Sequence, residues 1–384
     1  MSCQATPVRR RAVRAVVLSI FLAVALAACS SNSSQSSTKA NTSATNSAAS
    51  GLVAQARSQV ARLESRPTTL KVPSLPKAPA SGKTLDFLSC PVAQCVAFDK
   101  VIEDAAAAVG WHADIVQLGG TVQTVSAAWG QVIRNKPAGV IAATDPLAWF
   151  STDLKELKAL NIPVVLLDYS SWGDATGAVL TGANQATYGA DLGWWILDNA
   201  GGHDAHVAIF STPETAIYSY THQAMTAVLH KCATCTVDTY SAFSITDVGT
   251  NLPNMVVTYL RSHPSTNYLM FDFVDETTGV PAALKSAGFR NMHIITTDDD
   301  ALGASEIKAG QVNATAGVPW PEMIWAGFGA VLATTEGASP EPYLQMDFPQ
   351  MIETNTNLIA EPTNGATVPL VANYQSLFKQ AWHV

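Results

Sequence analysis

Asp145, Asp168 and Asp275 each stand just beyond a short apolar run of this sequence, and aromatic residues gather at the same places. Trp149, Tyr169, Trp172, Tyr218, Tyr220 and Phe243 follow such runs, Ser89 and Cys90 close the first of them, and Trp320 opens a later helical stretch. A carboxylate fixed at a strand end accepts hydrogen bonds from hydroxyl groups, each charge-assisted bond contributing about 1.5–3 kcal/mol. An aromatic plate covers the apolar C–H face of a ring whose rim is hydroxyls. The two residue types together suit a small polar ligand, a sugar or polyol, bound where the carboxyl ends of parallel strands meet loops and helix N-termini.

Each of these residues also has a structural use. Asp168 suits a cap on its following loop, Asp275 an N-cap for a helix beginning near Thr277, and Trp149, Trp172 and Trp320 suit domain packing. The run Asp298, Asp299, Asp300 reads as a strand end followed by a helix cap, with Asp298 bordering the pocket, in preference to a hard-metal site. Trp194 and Trp195 sit inside a helical pattern and receive no ligand role. Catalytic signatures are missing: the sequence holds no G-x-S-x-G, H-E-x-x-H or G-x-x-x-x-G-K-[ST]. His203, His206 and His222 have no evident nucleophile or orienting carboxylate. The reading is therefore a binding protein, not an enzyme, with no cofactor and no metal. A net charge of −8 opposes a nucleic-acid partner.

The elements that position these residues follow a rhythm. Strands are expected at 84–89, 113–118, 138–143 and 163–168, and again at 205–210, 236–240, 267–273 and 293–297, with helical patterns between them. In the first helix Phe98, Val101, Ile102, Ala105 and Val109 share one face, and Gly110 stands at the C-cap. Such alternation gives right-handed βαβ units and parallel sheets covered on both faces. The pattern is written twice, which predicts an α/β protein of two doubly wound, parallel-sheet (Rossmann-like) domains. The chain crosses between them at 178–184 and 311–319. A helix from Pro321 to about Thr334 returns to the first domain, and the segment near 347–354 crosses again. The expected partition is 81–182 plus 319–348 for the N-terminal domain and 183–318 plus 349–384 for the C-terminal domain.

Ahead of these domains, Arg9, Arg10, Arg11 and Arg14 precede an apolar run from Ala15 to Ala28, the form of an export signal. Leu26-Ala27-Ala28-Cys29 resembles a bacterial lipobox, which implies cleavage of residues 1–28 and a diacylglycerol on Cys29 that anchors the chain to the cell membrane from outside. Residues 29–80, rich first in Ser and Thr and then in Pro, are expected to form a flexible tether. Cys90, Cys95, Cys232 and Cys235 then remain in an oxidising compartment. Their spacings favour Cys90 with Cys95 and Cys232 with Cys235 among three pairings, and zinc held by Cys232, Cys235, His222 and His230 is the disfavoured alternative.

Four segments carry a resemblance: LNIPVVLLDY, TGANQATYGADLGWWIL, FDFVDETTGVPAALKSAGF, and HIITTDDD followed by EIKAGQVNATAG. In this order and separation they resemble the type I periplasmic or extracellular solute-binding proteins of ribose-like sugar ABC transporters, over about Gly82 to the C-terminus. The resemblance implies two domains joined by a three-segment hinge, a monomer that closes on its ligand, a membrane permease as partner, and Asp168 and Asp275 as acceptors of ligand hydroxyls. Where that family often places arginines, this chain has Tyr169 and the Tyr218 to Tyr220 region. The alternative implied is a receptor of the same fold for a signal, nucleoside or aromatic nutrient that reports to a sensor kinase.

Overall fold

The computed structural model describes residues 50–90, 93–143, 145–298, 300–359 and 368–384. The expected export signal, Cys29, the first part of the tether and Asp299 lie outside the described residues. The described chain opens with a helix over residues 50–60 (α1) and an extended stretch to residue 80.

Two sheets then repeat one strand order. β1 (Thr84–Ser89), β2 (His112–Gln117), β3 (Gly139–Ala143), β4 (Val164–Leu167) and β5 (Gly177–Val179) form a parallel sheet ordered β2-β1-β3-β4-β5. β6 (His206–Phe210), β7 (Thr236–Tyr240), β8 (Tyr268–Phe271), β9 (His293–Thr297) and β10 (Ala314–Gly317) follow the same order, β7-β6-β8-β9-β10, and β11 (Met351–Glu353) adds an antiparallel edge to β10. Strands buried on both faces must be apolar throughout, which is why VVLL of β4 and YLMF of β8 are buried at every position.

Helices α2 (Ala93–Ala108), α3 (Val122–Asn135) and α4 (Ser151–Ala159) belong to the first lobe. Helices α6 (Ser219–Leu229), α7 (Leu252–Ser262), α8 (Val280–Ala287) and α9 (Ala301–Lys308) belong to the second. The crossover helices change sides. α5 (Gly182–Asn199) leaves the first sheet and packs along α6, while α10 (Trp320–Thr335) leaves the second sheet and lies on α2, β3, β4 and β5. Small residues make the first exchange close: a Cβ on Gly189 would stand 2.0 Å from the Thr221 carbonyl oxygen. One buried cluster consequently runs through both lobes, joining Phe87, Phe98 and Phe328 to Tyr188, Leu192 and Met225.

Two expectations need correction. The first concerns residues 50–80, which are packed over most of their length. Ala56, Val60, Leu63, Leu70 and Leu75 are buried in the shared cluster. The Ile352 N–H donates to the Leu63 carbonyl at 2.9 Å, Arg66 donates to the carbonyls of Pro369 and Leu370, and the Leu75 N–H donates to Ala381 O at 2.9 Å. Prolines 67, 73, 76 and 79 hold this stretch extended, and the leucines between them bury it against both lobes. The second concerns the C-terminus: beyond the short α11 (Glu341–Leu344), α12 (Tyr374–Trp382) packs on α10, with Trp382 stacked on Trp325 at 5.2 Å, so the last helix joins the first lobe although β11 belongs to the second sheet.

Leu63→Ala is expected to lower unfolding free energy by about 2–4 kcal/mol, as for other buried leucine truncations, measured by denaturant unfolding. A flexible tether at this position would give no change.

Candidate functional site

The fourth strand of each sheet ends in an aspartate with left-handed backbone. Asp168 follows β4 at φ 65° and Asp298 follows β9 at φ 66°. Aspartate tolerates this region better than most residues because its short carboxylate bonds locally. The following β-strand captures each backbone: the Asp168 N–H donates to Val179 O and the Asp298 N–H to Ala316 O, both at 3.0 Å.

Each carboxylate is then gripped by a crossover helix. Gln185 of α5 donates its Nε2–H to Asp168 Oδ1 at 2.9 Å, and Trp320 of α10 donates its indole N–H to Asp298 Oδ1 at 2.7 Å. Gln185 Oε1 in turn accepts from the Thr221 hydroxyl of α6 at 2.7 Å, so a chain of hydrogen bonds runs from the end of β4 into the second lobe.

Beyond Asp168 lies a cavity of about 280 Å³ lined by Asp145–Ala148, Asp168–Ser171 and Glu214–Ile217. The first two segments follow β3 and β4, and the third is a 3-10 turn (Pro213–Tyr218) after β6, so both lobes contribute. Tyr169 holds the first segment: its hydroxyl donates to Asp145 O at 2.6 Å and accepts from the Asp145 N–H at 2.7 Å. The Asp145 and Asp168 Oδ2 atoms are buried and have no hydrogen-bond partner. Glu214 is braced by the hydroxyls of Thr212 and Ser244. Two of the residues lining the cavity, Asp145 and Asp168, thus each carry a buried carboxylate oxygen with no partner, and Ser170 and Ser171 line it beside them.

Of the residues singled out from sequence, Asp145, Asp168 and Tyr169 meet in this cavity. The others lie elsewhere. The Ser89 hydroxyl donates to Cys95 O, and Cys90 is disulfide-bonded to Cys95. Trp149 packs against the outer core of the first lobe, and Phe243 against that of the second. Trp172 is 41% exposed and lines a separate cleft with Glu341 and Asp347. Tyr218 donates to Asp298 Oδ2 at 3.2 Å, and Tyr220 is 40% exposed. Trp320 is buried against Phe98 at the start of the crossover helix α10 and does not line the cavity.

Asp275 is buried in a 3-10 turn (Val274–Thr277), and the following helix starts only at Val280, capped by Gly279. Asp300 caps α9 by accepting from the Gly303 N–H at 2.9 Å. Cys232 is bonded to Cys235, which removes both thiolates from any zinc site, and His222 pairs with Asp272 at 2.5 Å. Sequence reasoning passed over Gln185 and the 214–217 turn. Thr212 before Pro213 signals a helical start there, but only the topology turns it towards the cavity.

Burial pushes the Asp145 carboxyl up to about 7 and Asp168 up to about 8, the latter also repelled by Asp298 and Asp272 and partly relieved by Gln185. The unfolded chain releases these protons near 3.8, so the folded protein binds more protons than the unfolded one between that value and about 8. Stability then falls as pH rises through this window. The expected result is a Tm that declines from mildly acidic to mildly alkaline pH, with Asp168→Asn flattening the upper part of the curve. A Tm that climbs across that interval would contradict the assignment.

A family model described as a periplasmic binding protein domain matches residues 94–339. No curated protein matches the chain. Among solved structures, it is similar to an ABC sugar transporter subunit from Rhodobacter sphaeroides, at 17% identity and TM-score 0.63, over 72% of this chain and 99% of that one. A glucose-galactose binding protein from Geobacillus stearothermophilus is similar at 14% identity and TM-score 0.63, over 73% and 99%. An ABC transporter solute-binding protein from Agrobacterium vitis, bound with α-D-tagatopyranose, is similar at 15% identity and TM-score 0.62, over 75% and 100%. These likenesses establish the two-lobed fold, and the matched model covers well over half of the sequence. The chain belongs to the periplasmic binding protein domain family.

Proposed function

We propose that this protein is an extracytoplasmic solute-binding protein that captures a sugar or polyol between its lobes and presents it to the permease of an ABC transporter. The observation that carries the reading is the cavity at the strand ends of both sheets, with two buried carboxylate oxygens that have no partner inside the protein. Buried acceptors left unpaired cost about 1–3 kcal/mol each, and ligand hydroxyls supply the missing donors. The sugars named for the Geobacillus and Agrobacterium proteins support the same class.

In this reading Asp145 and Asp168 bind hydroxyls, and Tyr169 fixes the Asp145 loop at the height of the ligand. The 214–217 turn reaches the ligand only when the lobes are together, so binding draws the population towards closure. The site binds and releases without catalysing a reaction. A lipid on Cys29 keeps a monomeric protein near its permease, raising the local concentration without adding a contact.

A thermal-shift screen of the purified protein against pentoses, hexoses and polyols tests the reading. A ligand present at about 100 times its Kd stabilises the fold by about 2.7 kcal/mol. Asp145→Ala is expected to weaken that ligand ten-fold or more, from the loss of a charge-assisted bond. No response to any carbohydrate, with a clear response to a nucleoside or aromatic nutrient, would overturn it.

A further inference from the structure

Asp145, Asp168 and Glu214 are the ionisable side chains among the carboxylate-bearing, hydroxyl-bearing and apolar residues that line the cavity, apart from the Tyr169 phenol. No lysine, arginine or histidine is among the described lining residues. Behind Asp168, Asp272 and Asp298 stand close enough to repel it. A neutral sugar would fill the hydrogen-bonding vacancies of Asp145 and Asp168, whereas a bound cation would also offset the repulsion from Asp298 and Asp272 that helps to keep Asp168 protonated.

Three features separate the arrangement from a surface cluster of acids. Asp168 is only 2% exposed, its Oδ2 has no partner, and it lines a cavity to which both lobes contribute. In such surroundings Coulomb attraction between unit charges is several-fold stronger than in water. The fold also pins the acids in place. Gln185 holds Asp168 Oδ1 and the hydroxyls of Thr212 and Ser244 hold Glu214, so neither carboxylate can swing out to solvent without breaking a bond, while Tyr169 fixes the backbone that carries Asp145.

Resting on the sugar-capture reading above, we propose that the ligand is a polyhydroxylated molecule bearing a protonated amino group, an amino sugar or amino polyol, with its ammonium bonded to the free oxygens of Asp145 and Asp168. An ammonium offers three donors and a full positive charge, which matches two orphan carboxylate oxygens better than hydroxyls do. The Ser170 and Ser171 hydroxyls are left for the ligand's own hydroxyl rim.

The test is calorimetric titration of the purified protein, from mildly acidic to mildly alkaline pH, with hexosamines and amino-deoxy-alditols. Each is run beside its neutral parent and its N-acetyl derivative. At least one amine is expected to bind ten-fold or more tightly than both neutral counterparts. Asp145→Asn and Asp168→Asn should each erase that preference while leaving the circular dichroism spectrum unchanged. Asparagine keeps the left-handed backbone that residue 168 requires, and Asp145→Asn serves where the buried replacement perturbs folding.

Neutral sugars binding as well as their amines would overturn the inference and leave the sugar-capture reading intact. A preference for amines that survives both substitutions would also overturn it, by removing these carboxylates as its source. Silence from amines and neutral carbohydrates alike would overturn the inference and the reading together.

Discussion

The chain of hydrogen bonds from Asp168 through Gln185 to Thr221 joins the wall of the cavity to the crossover between the lobes. Asp168 ends a strand of the first sheet, Gln185 sits in the first turns of the helix that leaves that sheet, and Thr221 belongs to the second lobe. A buried carboxylate has to be bonded or neutralised. The protein meets that demand with a side chain from the crossover, so the cavity-lining acid and the connection between the lobes are one bonded unit. On the other side Asp298 is held in the same way by Trp320. Duplicated topology has produced duplicated solutions to the same electrostatic problem.

The exchange of α5 and α10 between lobes follows from the strand order. The last parallel strand of each sheet, followed by a helix that must find an apolar surface, can send the chain to the other sheet, and two such crossings leave each lobe completed by the other's chain. The consequence is a core that is continuous at the hinge, with Trp325 and Phe328 of α10 and Tyr188 and Leu192 of α5 in one cluster. The 50–80 stretch lies across this region, bonded to β11 through Leu63 and to α12 through Leu75. This stretch therefore links the lobes in addition to α5, α10, the passage into β11 and the return to the first lobe at α12.

Much of this was legible in the sequence because doubly covered strands leave continuous apolar runs. Strand β9 was read to the residue and the end of β8 two residues late, because the apolar run continues into Phe273 after the pairing stops at Phe271. Asp145, Asp168 and Tyr169 were legible as strand-end residues. Phe243 and Trp149 pack in the outer cores, a placement without a sequence signal because an aromatic after a strand looks the same whether it turns to the cleft or to the core. The role of Gln185 had no signal, since it arises from a helix whose partner acid lies in another element. The packing of residues 50–80 was hidden by composition: prolines dominate the stretch, while the sparse leucines that bury it have partners about 300 residues away in sequence.

Hydrogen exchange, measured with and without the carbohydrate that stabilises the protein most, tests the central claim most directly. The account predicts slowed exchange at residues 145–149, 168–171 and 214–217 together with the first turns of α5, because those groups form one bonded unit around the ligand. Protection confined to the separate cleft around Trp172 and Glu341, with none at Asp168 or Gln185, would contradict it.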